Sequence, residues 1–170
     1  MKEIRSEKSR LIPLREADWE NYFDHVTGDG EVYLQYGMEP SDDLIDAISQ
    51  PTKNVLYYSV LSAETDEMLG YVGVTPENGN LEFYIFKEYR RKGHGEEAIA
   101  VFSRAYLDGK VTGKGEKAIV AETMSDNDPA SALLEKLGFV KHATVLRFGS
   151  EDMSEVLGLF RYELTAGKKE

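Results

Sequence analysis

The chain has no cysteine among its 170 residues, which excludes disulfide bonds, a thiol nucleophile and any thiolate-held metal. No run approaches eighteen consecutive apolar residues, so no segment reads as a membrane-spanning helix. The opening MKEIRSEKSR lacks the apolar core of a signal peptide, and the expected location is cytoplasmic, with no membrane partner. Positive charge is scarce: 20 Lys and Arg stand against 31 Asp and Glu, a net charge of −11. So acidic a surface repels a phosphate backbone, which argues against a nucleic-acid partner and suits a cationic or amine-bearing one. Internal repeats and low-complexity tracts are also absent.

What is present is the composition of an ordinary globular protein, 41% hydrophobic and 30% charged. The length fits a single domain, 1–170, with 1–8 and 166–170 expected to fray. One island of positive charge stands out from the acidic background. In LEFYIFKEYRRKGHGEEAIAVFSRAYLDG, Leu81 to Phe86 is an apolar, aromatic run of strand length. From Glu96 the apolar residues recur at helical spacing, at Ala98, Ile99, Val101, Phe102, Ala105 and Tyr106. Between them, Arg90-Arg91-Lys92-Gly93-His94-Gly95 sets three cations and two glycines directly before a helix start. A helix begins with unpaired N–H groups and the positive end of its dipole, and glycine lets backbone come close to phosphate oxygens, so the stretch reads as an anion site for a polyphosphate. A solvated basic turn is the plainer reading of the same residues.

Along the chain, Arg10 to Arg15 reads as a first strand, followed by an amphipathic helix carrying Trp19, Tyr22, Phe23 and Val26 and ended by Gly28-Asp29-Gly30. A second helix opens at Ser41 and stops at Pro51. Asn54–Ala63 and Met68–Thr75 form a hairpin, and Asn78-Gly79-Asn80 turns into the strand at Leu81. After the central helix come a buried strand Ala118–Ala121, a helix from about Pro129 to Leu137 stopped by Gly138, and two closing strands, Phe139–Phe148 and Val156–Leu164. The class is α/β: a mixed, largely antiparallel sheet of six to seven strands with helices on both faces. Its fourth and fifth strands run parallel across the central helix. If they splay at their C-terminal ends, the glycine loop lies at the mouth of the cleft.

Arg90-Arg91-Lys92-Gly93-His94-Gly95 resembles the Arg/Gln-x-x-Gly-x-Gly/Ala acetyl-CoA signature of the GNAT N-acetyltransferase superfamily. Downstream, Asn127-Asp128-Pro129-Ala130 followed by Leu134-Glu135-Lys136-Leu137-Gly138-Phe139 is similar to that family's second motif, Asn-x-x-Ala/Ser ending in Glu-Lys-Leu-Gly-Phe. The opening Leu11–Asp18 also resembles the Rim-type, ribosomal-protein N-acetyltransferase-like branch. Gly93 to Ala98 fits the Gly-x-Gly-x-x-Gly/Ala of dinucleotide-binding folds as well. Three antiparallel-looking strands precede it, however, and three adjacent cations suit a coenzyme with several phosphates better.

The resemblance implies a GNAT-like sheet and transfer of the acetyl group of acetyl-CoA, as co-substrate and without a metal, to a primary amine attacking directly in a ternary complex. It implies that the loop Arg90, Arg91, Lys92, Gly93, His94, Gly95 and Glu96 holds the pyrophosphate. The pantetheine arm would lie along the backbone of Ile85, Phe86 and Lys87 and meet Asn127, with the N–H of Ile85 or Phe86 as oxyanion donor. Glu82 is the implied base, on one face with Tyr84 and Phe86; pairing to a neighbouring strand is its structural alternative. Where many members carry a general-acid Tyr, this chain has Leu134, which leaves Ser131 as a substitute hydroxyl or a thiolate that departs unaided. Glu97 is read as capping or orienting the central helix. The acceptor is an amine-bearing small molecule or a protein N-terminus, with Tyr33, Tyr36, Tyr57 and Tyr58 as candidate groove residues, and the assembly is a monomer or homodimer. The alternative function is a non-catalytic acyl-CoA-binding sensor or interaction module.

Overall fold

A computed structural model describes residues 2–29, 42–148 and 156–167. Its elements in chain order are β1 (Ile4–Arg5), β2 (Ser9–Pro13), α1 (Glu16–Thr27), α2 (Asp42–Ile48), β3 (Leu56–Ser62), β4 (Met68–Thr75) and β5 (Asn80–Ile85). A 3-10 turn at Lys87–Tyr89 leads to α3 (His94–Leu107), β6 (Ala118–Met124), α4 (Asp128–Lys136), β7 (Val140–Phe148) and β8 (Val156–Thr165). The strands form one eight-stranded sheet in the order β1-β2-β3-β4-β5-β6-β8-β7, antiparallel at every junction except β5–β6.

The mixed, mostly antiparallel sheet is the expected one with a strand added. Within the segment 1–8 expected to fray, Ile4 pairs with Leu11 and Arg5 with Arg10, and the Glu3 carboxylate bridges the side chains of Arg5 and Arg10, each at 2.8 Å. A two-residue strand is too short to leave an alternating pattern. At the other end the N–H of Ala166 donates to the carbonyl of Lys117 at 2.8 Å, which ties down the first of the residues expected to fray. Lys168–Glu170 and the aromatic stretch Val32–Met38 lie outside the described residues. β6 runs three residues past Ala121, because Glu122 and Thr123 interrupt the apolar run without interrupting the alternation of buried Ile119, Ala121 and Thr123.

Helices cover both faces, as the class predicts. On one, Ala98, Ile99, Phe102, Ala105 and Tyr106 of α3 and Leu134 of α4 pack against Val72, Leu81, Ile119 and Ala121. On the other, Trp19, Tyr22 and Val26 of α1 and Ile48 of α2 meet Tyr57, Tyr71, Tyr84 and Phe86. Burying each of the larger aliphatic or Phe side chains among them is worth about 1.5–3 kcal/mol. The second layer adds edge-to-face contacts, Tyr22 to Tyr71 at 4.8 Å and Tyr57 to Tyr71 at 5.3 Å between ring centroids.

Asp18 fixes where α1 begins. Its buried carboxylate accepts from the Arg15 guanidinium at 2.8 and 2.7 Å, from the Arg15 N–H at 3.1 Å and from the Ser59 hydroxyl at 2.8 Å, joining the helix start to β3. Burial pushes this carboxyl up, but the Arg15 guanidinium, the Ser59 hydroxyl and the Arg15 amide together hold it below its ordinary value. Its stabilising contribution is therefore complete above the unfolded-state carboxyl range and lost as pH falls through the lower folded value. Acid titration of the fold, followed by circular dichroism, is expected to show the wild type losing more stability below about pH 4 than Asp18→Asn, which starts less stable at neutral pH.

Candidate active site

β5 and β6 pair only at Asn80 with Val120 and Leu81 with Ala121, although β5 continues to Ile85 and β6 to Met124. Backbone parity says what faces the resulting gap. The carbonyl of Gly79 accepts the N–H of Val120 at 2.9 Å, on the β6 side, whereas the N–H of Phe86 donates to the carbonyl of Leu69 at 2.9 Å, beyond the end of β4 pairing. Odd residues of β5 therefore turn their backbone toward β6 and even ones toward β4. Past Leu81, Phe83 and Ile85 present backbone groups with no strand to pair them, an edge that an extended, amide-bearing ligand can complete. Of the expected set, Ile85 lies on this edge. Phe86 has its amide engaged with Leu69, and Lys87 starts the 3-10 turn with its carbonyl accepting from Arg90 at 3.3 Å. Phe83 escaped the sequence reading, because parity depends on which neighbour each residue bonds.

At the mouth of the gap the chain turns through left-handed backbone at Arg91 (φ 62°) and Gly93 (φ 84°) before α3 starts. The amides of Arg91 to Glu96 have no backbone acceptor among the described residues, and Glu97 makes the first helical bond, to the Gly93 carbonyl at 3.2 Å. Gly95 packs against β5, since a β-carbon there would sit 3.2 Å from Ile85 Cγ1. Arg91 and Lys92 are exposed, with the Lys92 ammonium 5.7 Å from the centroid of the Tyr89 ring. Arg90, by contrast, turns away from the mouth. Its Nε donates to the Ile85 carbonyl at 2.8 Å, its Nη2 to Asp29 at 2.7 Å, and its guanidinium stacks 5.1 Å from the Tyr84 ring, whose hydroxyl also donates to buried Asp29. Arg90 is thus a strut joining the end of α1 to the loop.

The two acids of the first helical turn are occupied: Glu96 accepts from Lys136 at 2.8 Å and Glu97 from the backbone N–H of Lys8 at 2.7 Å. His94 is half-buried, and its Nδ1 has no hydrogen-bond partner among the described residues.

The opposite face of the split carries carboxylates. Glu82 accepts from the Tyr57 hydroxyl at 3.0 Å, and burial raises its pKa above the ordinary carboxylate value, partly offset by that hydroxyl. Gly73, opposite Glu82 in register, leaves the room: a β-carbon there would lie 2.6 Å from the Tyr57 ring. One residue beyond the last β5–β6 pair, Glu122 points to the same side as Glu82, since Ile119 and Ala121 point to the α3 side. It accepts from Arg161 of β8 at 3.0 and 2.5 Å. Glu122 was missed because the apolar run ends one residue earlier; the alternation through Thr123 was the available signal.

Asn127 caps α4, its Oδ1 accepting the N–H of Ala130 at 3.3 Å. Ser131 Oγ is buried without a hydrogen-bond partner among the described residues, and Leu134 is fully buried in the core. Tyr58 belongs to the α3-side core, 5.5 Å from Phe102, and cannot line an acceptor groove. Tyr33 and Tyr36 lie outside the described residues.

A split sheet with a free backbone edge, leading to a helix start ringed by unpaired amides and cations, has the shape and charge to hold an extended ligand with an anionic end. Residues 9–140 match the family model described as acetyltransferase (GNAT) domain, and the chain belongs to that family. It is an acetyltransferase, of a family that uses acetyl-CoA. No curated protein matches the sequence significantly. Among solved structures, the fold is similar to a GNAT-family acetyltransferase from Bacillus anthracis, at 16% identity, TM-score 0.71, covering 96% of this chain and 98% of that one. It is also similar to the acetyltransferase from Salmonella typhimurium that modifies the N-terminal serine of 50S ribosomal subunit protein L7/L12, at 12% identity, TM-score 0.72, covering 98% and 100%. A third is the microcin C7 self-immunity acetyltransferase MccE in complex with acetyl-CoA and AMP, at 15% identity, TM-score 0.68, covering 95% and 94%. At such identities the likeness is one of fold. No helix among the described residues is long and apolar enough to cross a membrane.

Proposed function

We propose that the protein acetylates a primary amine by direct attack on the thioester within the β5–β6 split, with Glu82 as the base. The observation that carries this reading is the half-buried Glu82 carboxylate, on the α1 side of the split and opposite the α3 loop, with its pKa raised by burial. Coenzyme phosphates on the amides of Arg91 to Glu96 and a pantetheine arm along Phe83 and Ile85 would leave the α1 side to the acceptor. An alkylammonium with a pKa near ~10 needs its proton removed before attack at neutral pH, and an α-amine near ~8 needs less help. As the nitrogen–carbon bond forms, the amine proton passes to Glu82 and the carbonyl oxygen becomes an oxyanion facing the Ile85 N–H. Collapse breaks the carbon–sulfur bond and expels a thiolate. Its conjugate thiol has a pKa of about 8.5, so it leaves without an acid, consistent with the hydrocarbon at Leu134. Glu122, on the same side, is neutralised by Arg161, which leaves Glu82 as the carboxylate of the split for the proton.

The acceptor reading draws on a groove beside α1. About 610 Å³ in volume, it is lined by Glu16, Glu20 and Asp24, with Arg15 at their edge, over Trp19 and Phe23. Acid over an apolar floor suits an amine carried on a larger body, a peptide N-terminus before a small free amine. Thiol release from acetyl-CoA across a panel of peptides and small amines tests this. Release with peptide α-amines supports it, and tight coenzyme binding without release to any amine would instead favour an acyl-CoA-binding module.

A further inference from the structure

The loop motif offers three cations, yet Arg90 is spent on Asp29, Tyr84 and the Ile85 carbonyl. A different cation takes its place from the far end of the chain. We propose that Lys8, in the turn between β1 and β2, is a pyrophosphate-binding residue of the coenzyme site, reaching across Gly93 to complete a set with Arg91 and Lys92. The inference rests on the coenzyme reading of that loop.

The placement of Lys8 is built from both directions. Its backbone N–H donates to Glu97 Oε1 on the first turn of α3 at 2.7 Å, and its carbonyl accepts from the N–H of Ala63 at 2.9 Å, just past β3. The turn that carries it is closed by Ser6 and Ser9, whose backbone and hydroxyl groups bond at 2.9, 3.0 and 3.1 Å. The side chain then runs over the loop, and a β-carbon built on left-handed Gly93 would meet Lys8 Nζ at 3.2 Å. Among the described residues no carboxylate pairs with Lys8, Arg91 or Lys92, whereas Arg90, the remaining cation of the motif, is paired with Asp29. In a chain of net charge −11, three unpaired cations around a ring of unpaired amides form a field that a doubly charged anion relieves. Glu97 lies close enough to that anion to repel it, so its useful contribution is to hold Lys8, as a positioning residue.

Calorimetry of the full chain with acetyl-CoA and with its 3′-dephospho analogue tests the inference. Lys8→Met keeps both backbone bonds and is expected to melt like the wild type while binding either ligand about tenfold more weakly, with a shallower dependence on salt. Unchanged affinity for both ligands overturns the proposal, and so does a loss confined to the 3′-phosphorylated one, which would assign Lys8 to the other phosphate. Glu97→Ala supplies a readout whose sign discriminates. Removing a negative charge beside an anion should tighten binding, but loss of the Lys8 anchor should weaken it, and the weakening should vanish in the Lys8→Met background. A weakening that persists there overturns the positioning role. Wild-type protein that gives no heat with either ligand would sink the coenzyme reading itself, an outcome distinct from a silent Lys8→Met.

Discussion

Glu82→Gln is expected to lower kcat by about 10²–10³-fold while changing acetyl-CoA affinity by less than about twofold. With Glu82 as the proposed base on the acceptor side, its loss would remove the proton acceptor without disturbing the loop proposed to hold the phosphates. Because burial raises its pKa, the acid limb of the wild-type pH–rate profile should fall above the ordinary carboxylate range, activity rising with pH as Glu82 ionises. Tyr57→Phe removes the hydroxyl that stabilises the charged form and should move that limb higher still. Stability has the opposite sign. A carboxyl whose folded pKa is raised binds its proton more tightly in the native state, which favours folding below the unfolded value and loses that advantage as pH rises through the folded one. Above its folded pKa the ionised, buried Glu82 is therefore a burden, and Glu82→Gln should melt higher than wild type there and lose the difference in acid. An inactive variant that is also less stable at neutral pH would point to misfolding.

The second large effect is on the strut. Asp29→Ala strands a guanidinium that bonds the Ile85 carbonyl and stacks on Tyr84, and it frees the Tyr84 hydroxyl, whose pKa burial and Asp29 both push upward. Removing one partner of a fully buried pair costs about 3–5 kcal/mol. The Arg90 side chain keeps 29% exposure, so about 2–3 kcal/mol is expected here, a fall in Tm of about 4–12 °C. Acetyl-CoA affinity should fall as well, since Arg90 fixes both the end of β5 and the entry to the loop. The double variant Asp29→Ala/Arg90→Met should recover part of the stability, because no uncompensated charge remains. Additive losses would show that the two residues do not act as a pair.

The parts of this site that could be read from sequence are those whose logic is local. Glycines and cations before a helix start, and Asn127 before α4, announce themselves within a few residues, and the order of strands and helices carries the sheet's mixed character. The parts that could not be read depend on distant partners. Nothing near Arg90 says that Asp29, 61 residues earlier and just past the end of α1, takes its guanidinium. Lys8 gains meaning only from Glu97, 89 residues on. Phe83 and Phe86 look equivalent until the Leu69 bond fixes which side of β5 each amide faces. Glu97, read as a local cap, spends its carboxylate on the N-terminal turn, and Glu122 vanished behind the end of an apolar run. Helical and strand periodicities report burial well and report pairing across the chain poorly.

Amide chemical shifts of the labelled protein, followed while acetyl-CoA is added, test the central claim most directly. The account predicts saturable shifts at Phe83 and Ile85 and along Arg91 to Glu96, with Phe86, already bonded to Leu69, moving far less. Saturation with those loop and edge amides unmoved, or with the largest shifts elsewhere on the sheet, would contradict it.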